Sequence, residues 1–151
     1  MNYFEIFEIP VGYRINEEML LQSYLRKQSA VHPDANGAES AESARLNVAY
    51  RVLLDPIERA RHLLEINGKE ADKVASDFTS EMFSWREKYE SLTSTREKEI
   101  FREKLSTRVS ELIDRLYDLE NNMDEFEKYY SLLRFVSSFR EKIKSDGYDW
   151  N

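Results

Sequence analysis

At 151 residues the chain is long enough for one or two small domains with real cores, and 41% hydrophobic residues, including 9 Tyr and 8 Phe, exclude a disordered polymer. A net charge of −7, from 22 basic and 29 acidic side chains, argues against a general nucleic-acid binder. The absence of cysteine removes disulfides, thiolate metal sites, a Cys nucleophile and direct Cys ligation of a cluster, and His32 and His62 are too few for a multi-histidine metal site.

Scarce Gly (4) and Pro (3) beside abundant Glu, Lys, Leu and Arg predict an all-α protein. No apolar run approaches the roughly 20 residues of a membrane span. Met1-Asn2-Tyr3-Phe4-Glu5 resembles neither a secretion signal nor a transit peptide, so the expected compartment is the cytoplasm.

Tyr3, Phe4 and Phe7 share one side of a short helical segment that Pro10 stops. Asn16 is a good N-cap for a second helix running to about Val31, with Glu17 and Glu18 at the positive end of its dipole. Leu20, Leu21, Tyr24 and Val31 are its expected core face, interrupted by Gln28; Arg26 points nearly opposite Tyr24 and Lys27 lies on a flank. A third helix is expected from about Ser40 to Leu54, with a stripe of Ala41, Ala44, Val48 and Val52 broadened by Leu46, Ala49 and Leu53. Asp55-Pro56-Ile57-Glu58 reads as a stop and restart: Asp55 caps, Pro56 suits the first helical position, and Glu58 completes a capping-box spacing. The fourth helix ends at Asn67-Gly68.

Residues 69–76 are polar and read as a linker. Beyond them a helix from about Asp77 to Leu92 carries Phe78, Met82, Trp85 and Tyr89 as a core stripe. Ser94 or Thr95 caps a long helix with Phe101, Leu105, Val109, Leu112, Leu116 and Leu119 on one face. Asn121-Asn122 turns the chain into a last helix from about Asp124 to Lys144, with Phe126, Tyr129, Leu133, Val136 and Ile143 inward. Three helices with short connections predict an antiparallel three-helix bundle.

Between the second and third helices stands His32-Pro33-Asp34. Proline has no N–H and pushes the residue before it toward extended backbone, so this is a loop tripeptide at the tip of a helical hairpin. Three readings are open: an ordinary turn with local hydrogen bonds, a His/Asp acid–base pair, or a contact for a partner. No nucleophile pattern, metal cluster or glycine-rich phosphate loop accompanies it, which weighs against catalysis. Arg26 and Lys27 are either a solvated face or a contact for an acidic partner. Phe83, beside Ser84 and Glu87, falls off the core stripe of its helix, and Phe135 lies next to the Leu133 and Val136 face; the pattern leaves the burial of both open.

Tyr3-Phe4, the helix ending at His32-Pro33-Asp34, and the run Asn47-Val48-Ala49-Tyr50-Arg51-Val52-Leu53-Leu54-Asp55-Pro56-Ile57-Glu58-Arg59-Ala60-Arg61-His62-Leu63-Leu64 together resemble a J-domain of the HscB type, the J-domain co-chaperones of iron–sulfur cluster assembly. Trp85-Arg86-Glu87 and Leu133-Arg134-Phe135 are similar to the first and last helices of that family's C-terminal bundle. The chain departs from the pattern at Val31, usually aromatic, at Ala35, usually Lys or Arg, at Ser29, often basic, and at Thr79 and Ser80, commonly an apolar pair.

The resemblance implies a J-domain over residues 1–68, with its helical hairpin, a linker over 69–76 and a client-binding three-helix bundle over 77–151. It implies that His32, Pro33, Asp34, Arg26 and Lys27 bind a DnaK-type, HscA-like chaperone and stimulate its ATPase. It implies that Phe83, Ser84, Glu87 and Phe135 hold the IscU-like scaffold protein on which clusters are built. No catalytic residue, metal, cofactor, nucleic acid or membrane is expected. The alternative is a general J-domain adaptor that delivers a different client.

Overall fold

The computed structural model of the chain describes residues 1–31, 37 and 39–145, and the His32-Pro33-Asp34-Ala35 run lies outside the described residues. The protein is all-α. Its backbone forms two compact units, one spanning Met1–Lys69 and the other beginning at Glu70.

The first unit contains α1 (Tyr3–Ile6), α2 (Glu17–Ser29), α3 (Ala41–Leu54) and α4 (Pro56–Ile66). Each start is built by a side-chain oxygen that accepts the otherwise unpaired N–H groups of the first turn. Asn2 accepts from Phe4 and Glu5, Asn16 from Met19, Ser40 from Ser43, and Asp55 from Ile57 and Glu58. Asp55 also donates its own N–H to the Arg51 carbonyl at 3.2 Å, so one residue closes α3 and opens α4, with Pro56 at the first helical position.

Two helices of this unit end in the same six-to-one and five-to-two hydrogen-bond pattern. After α4, Lys69 N–H reaches the Leu64 carbonyl and Gly68 N–H the Glu65 carbonyl, with Gly68 at φ +74°. After α1, Ile9 N–H reaches the Phe4 carbonyl and Glu8 N–H the Glu5 carbonyl, with Glu8 at φ +56°. A side chain in that left-handed region costs about 1 kcal/mol that glycine avoids.

The core of the unit is Phe4, Phe7, Tyr13, Leu20, Leu46, Ala49, Leu53, Ala60, Leu63 and Leu64. This differs from the expected stripes. Val48 is 39% exposed and Leu21 41% exposed, while Leu46, Ala49 and Leu53, which broadened the expected face of α3, are buried as read. The reason is that α3 packs against α1, α2 and α4 at once, so its buried face is set by three neighbours and not by its apolar residues alone. Arg59 is buried among them: Nε donates to the Tyr13 carbonyl at 2.8 Å, Nη1 to the Leu53 carbonyl at 2.7 Å, and its guanidinium lies 5.0 Å from the centre of the Tyr13 ring. The Tyr13 hydroxyl in turn donates to the Pro56 carbonyl at 2.8 Å. Through these bonds Arg59 ties the loop before α2 to the α3–α4 corner.

In the second unit the chain first lies along α7 (Met123–Ser145). Arg134 pairs with the Asp72 carboxylate and donates to its carbonyl, Ala75 N–H donates to Ser131 Oγ, and Ala71 is buried. The stretch read as a linker is therefore tied into the bundle from Ala71 onward. A 3-10 turn over Ser76–Phe78 precedes α5 (Thr79–Glu90), and α6 (Thr95–Asp118) follows. Met82, Trp85, Phe101, Leu105, Val109, Leu112, Leu116, Leu119, Phe126, Leu132, Leu133, Val136, Phe139 and Ile143 form the apolar interior. Phe139 sits at its aromatic centre, edge-on to Phe101 at 5.9 Å and to Phe135 at 5.5 Å.

A half-buried ion pair clamps α5 to α6. Arg108 donates Nε at 2.8 Å and Nη2 at 2.7 Å to the two Glu81 oxygens, and Trp85 Nε1–H donates to Glu81 at 3.0 Å. Burial pushes the Glu81 carboxyl upward, but the Arg108 fork and the indole donor outweigh it and hold the group below the usual carboxylate range.

Candidate partner-binding surfaces

The α2–α3 hairpin is fastened by polar side chains close to where its connecting loop begins and ends. Gln28 Nε2 donates to the Ser43 carbonyl at 3.0 Å and to Asn47 Oδ1 at 2.8 Å, and Ser43 Oγ donates back to Gln28 Oε1 at 2.7 Å. Tyr24 hydroxyl donates to Asn47, which donates to Glu39 on the far side of the loop. Tyr24 also stacks on Tyr50 at 4.3 Å. Gln28, which interrupts the apolar face of α2, is thus the α2 side of a clasp that ties α2 to α3.

Arg26 and Lys27 stand in the last turn of α2, where cations complement the helix dipole. They converge on one carboxylate: Arg26 Nη2 is 3.2 Å and Lys27 Nζ 3.8 Å from Glu8 Oε2. The Arg26 side chain is 64% exposed, so the cations remain open to water while paired. Glu8 had no place among the sequence-based candidates; no motif marks it, and only the fold brings α1 against the end of α2. His32, Pro33 and Asp34 lie outside the described residues.

In the second unit Phe83 is 58% exposed, a high value for an aromatic, and Glu87 one turn later is also exposed. Ser84 and Phe135 are half-buried. The Arg86 guanidinium lies 5.6 Å from the centre of the Phe135 ring. Phe83 and Arg86 are three residues apart on α5 and therefore on one face, so Phe83, Arg86 and Phe135 follow one another across the α5–α7 seam. Arg86 joins the candidate set here; its cation–π contact could not be read without knowing which helices are neighbours. Phe135 packs edge-on against Phe139, while Phe83 projects.

His62 reads in sequence as an ordinary surface or interface histidine, but it is 6% exposed. Its Nε2 accepts the Tyr3 N–H at 3.0 Å and its ring stacks on Tyr3 at 4.4 Å. Burial lowers its pKa, the N-terminal ammonium adds to that, and Glu65 opposes both. It is a neutral structural histidine that pins α1.

Comparison with known proteins then gives the surfaces a context. A co-chaperone protein HscB homolog of Shewanella sp. strain MR-4 is 31% identical over 131 residues, covering 78% of this chain and 69% of the relative. The chain belongs to the HscB co-chaperone family. The HscB homolog of Shewanella amazonensis is 34% identical over 106 residues, and the matched stretch spans 61% of that relative's length. Human HscB, solved as a crystal structure, superposes with a TM-score of 0.79 over 97% of this chain and 82% of its own, at 23% identity, which bears on the fold alone. No protein-family model matches the chain.

Two of the side chains that depart from the usual HscB pattern have local tasks. Ser29 Oγ donates to the Arg26 carbonyl at 2.8 Å, and Thr79 Oγ1 donates to the Ser76 carbonyl at 2.7 Å, closing the 3-10 turn before α5. No helix among the described residues is long and apolar enough to cross a membrane.

Proposed function

We propose that this HscB-family chain acts as a cytoplasmic co-chaperone with no chemistry of its own. The first unit engages the ATP-bound form of a DnaK-type, HscA-like chaperone and accelerates its hydrolysis. The second unit carries the IscU-like iron–sulfur scaffold protein. The observation that carries this reading is the pair of surfaces: cations in the last turn of α2, shortly before His32-Pro33-Asp34 in the chain, and on a separate unit a projecting Phe83 one turn from the Arg86 that covers Phe135.

Activation requires the loop to interact better with the hydrolysis-competent chaperone than with the resting one. Asp34 supplies a charged acceptor for a basic group on the chaperone, Pro33 keeps the loop stiff, and His32 orients it. Arg26 and Lys27 steer an acidic face of the chaperone into place. On the cargo side, Phe83 is an aromatic anchor rimmed by Ser84, Arg86 and Glu87, with the half-buried Phe135 under Arg86 adding apolar surface. Both surfaces on one chain raise the local concentration of client at the chaperone.

The full chain with Phe83→Ala tests the cargo arm. Its affinity for the scaffold protein, measured by titration calorimetry, should fall at least about tenfold, since a central aromatic anchor is worth on the order of 2 kcal/mol. Its stimulation of the chaperone in the absence of scaffold should match the parent. Unchanged scaffold affinity would remove the α5–α7 seam from the cargo site and favour a different client.

A further inference from the structure

We propose that Glu8 is a built-in competitor for the acidic partner: it occupies Arg26 and Lys27 in the free protein and has to give them up when the first unit docks. It thereby sets the rate and salt dependence of chaperone engagement. The inference rests on reading Arg26 and Lys27 as docking cations.

Two independent observations carry it. The first is positional. Glu8 Oε2 lies 3.2 Å from Arg26 Nη2 and 3.8 Å from Lys27 Nζ, the cations assigned to steering. A partner carboxylate would compete with this one for the same donors. The second is conformational. Glu8 sits at φ +56° in a helix-ending motif whose counterpart after α4 carries Gly68 at φ +74°. The chain thus uses glycine at one of these positions and a charged side chain at the other, against the backbone preference. Both partners are well exposed, with side-chain values of 64% for Arg26 and 65% for Glu8. An exposed pair of this kind contributes little to stability and can open without unfolding anything. A pair that is weak, exposed and centred on the docking cations is suited to tuning association rather than to holding the fold.

The test is the association rate of the full chain with the ATP-bound chaperone, followed by stopped flow at several salt concentrations. Glu8→Gln keeps the shape and removes the charge. It should raise the association rate about two- to fivefold at low salt, the range an exposed ion pair is worth, and steepen the salt dependence. The half-stimulating concentration should fall with it, while stimulation at saturation stays the same. Glu8→Gly should show the same kinetic gain together with a higher thermal midpoint.

Glu103→Gln, an exposed neutralisation on α6 in the second unit, controls for net charge; an equal gain there would overturn the proposal. So would a gain confined to Glu8→Gly, which would indicate backbone relief and not released cations. Arg26→Ala with Lys27→Ala separates the two levels of inference. If this double variant slows association in the parent and cancels the Glu8→Gln gain, both the docking reading and the proposal stand. If it slows association but Glu8→Gln brings no gain, only the proposal falls. If it has no effect in the parent, the docking reading falls and the proposal with it.

Discussion

His62 shows how one side chain can fasten a segment far from it in the chain. Its Nε2 must be unprotonated to accept the Tyr3 N–H, and burial holds its pKa below the ordinary histidine value. The unfolded chain therefore takes up a proton first as pH falls below about 6.5. The stabilising contribution is complete above that value and is lost as pH falls toward the lower folded-state value. The urea midpoint of the parent should drop between pH 7.5 and pH 5.5, a window above the usual range of carboxylates, and His62→Gln should flatten that drop. A midpoint equally pH-dependent in both would show that another group titrates. Neither His62 nor Arg59 was legible as a structural lock. Their partners lie 59 and 46 positions away, at Tyr3 and Tyr13, and no local pattern encodes such a pairing. Asp55 and Pro56 were legible because the groups they serve are within three residues.

At the scale of the element, helix starts follow directly from sequence and buried faces do not. Ser94 opens the 24-residue α6 with a full capping box: its hydroxyl accepts the Glu97 N–H, and the Glu97 carboxylate accepts from the Ser94 N–H. The Thr93 N–H and hydroxyl also donate to Glu97, at 2.8 and 3.0 Å, and these bonds lower its pKa. Ser94→Ala should cost about 1 kcal/mol, or roughly 4–8 °C in the midpoint of a unit this size. Differential scanning calorimetry would check this, and an unchanged midpoint would show that packing alone holds the start of α6. Helical periodicity located α6 well because a strong apolar row of Phe101, Leu105, Val109, Leu112 and Leu116 admits one burial solution. On α2 and α3 the apolar residues are spread around the helix. There Leu21 and Val48 were expected inward and are exposed, while the unpredicted Ser23 is buried. The 3-10 turn before α5 was equally unreadable, since it depends on the Thr79 hydroxyl folding back onto Ser76.

At the scale of the molecule, the proposed function divides labour between the two units, one to trigger hydrolysis and one to hold cargo. Part of the outline was visible in sequence: an all-α chain in which α2 and α3 pair as a hairpin and α5, α6 and α7 follow. The electrostatic detail was not, because Glu8 meets Arg26 only after α1 folds onto the hairpin. The central claim is that Asp34 makes a charged contact which the chaperone needs for hydrolysis. The measurement that tests it most directly is the single-turnover rate of ATP hydrolysis by the chaperone, with saturating parent or Asp34→Asn chain. A charge-assisted hydrogen bond is worth about 1.5–3 kcal/mol, so the variant should lose about tenfold or more of the acceleration while still capturing the scaffold protein. Acceleration by Asp34→Asn equal to that of the parent would contradict the account.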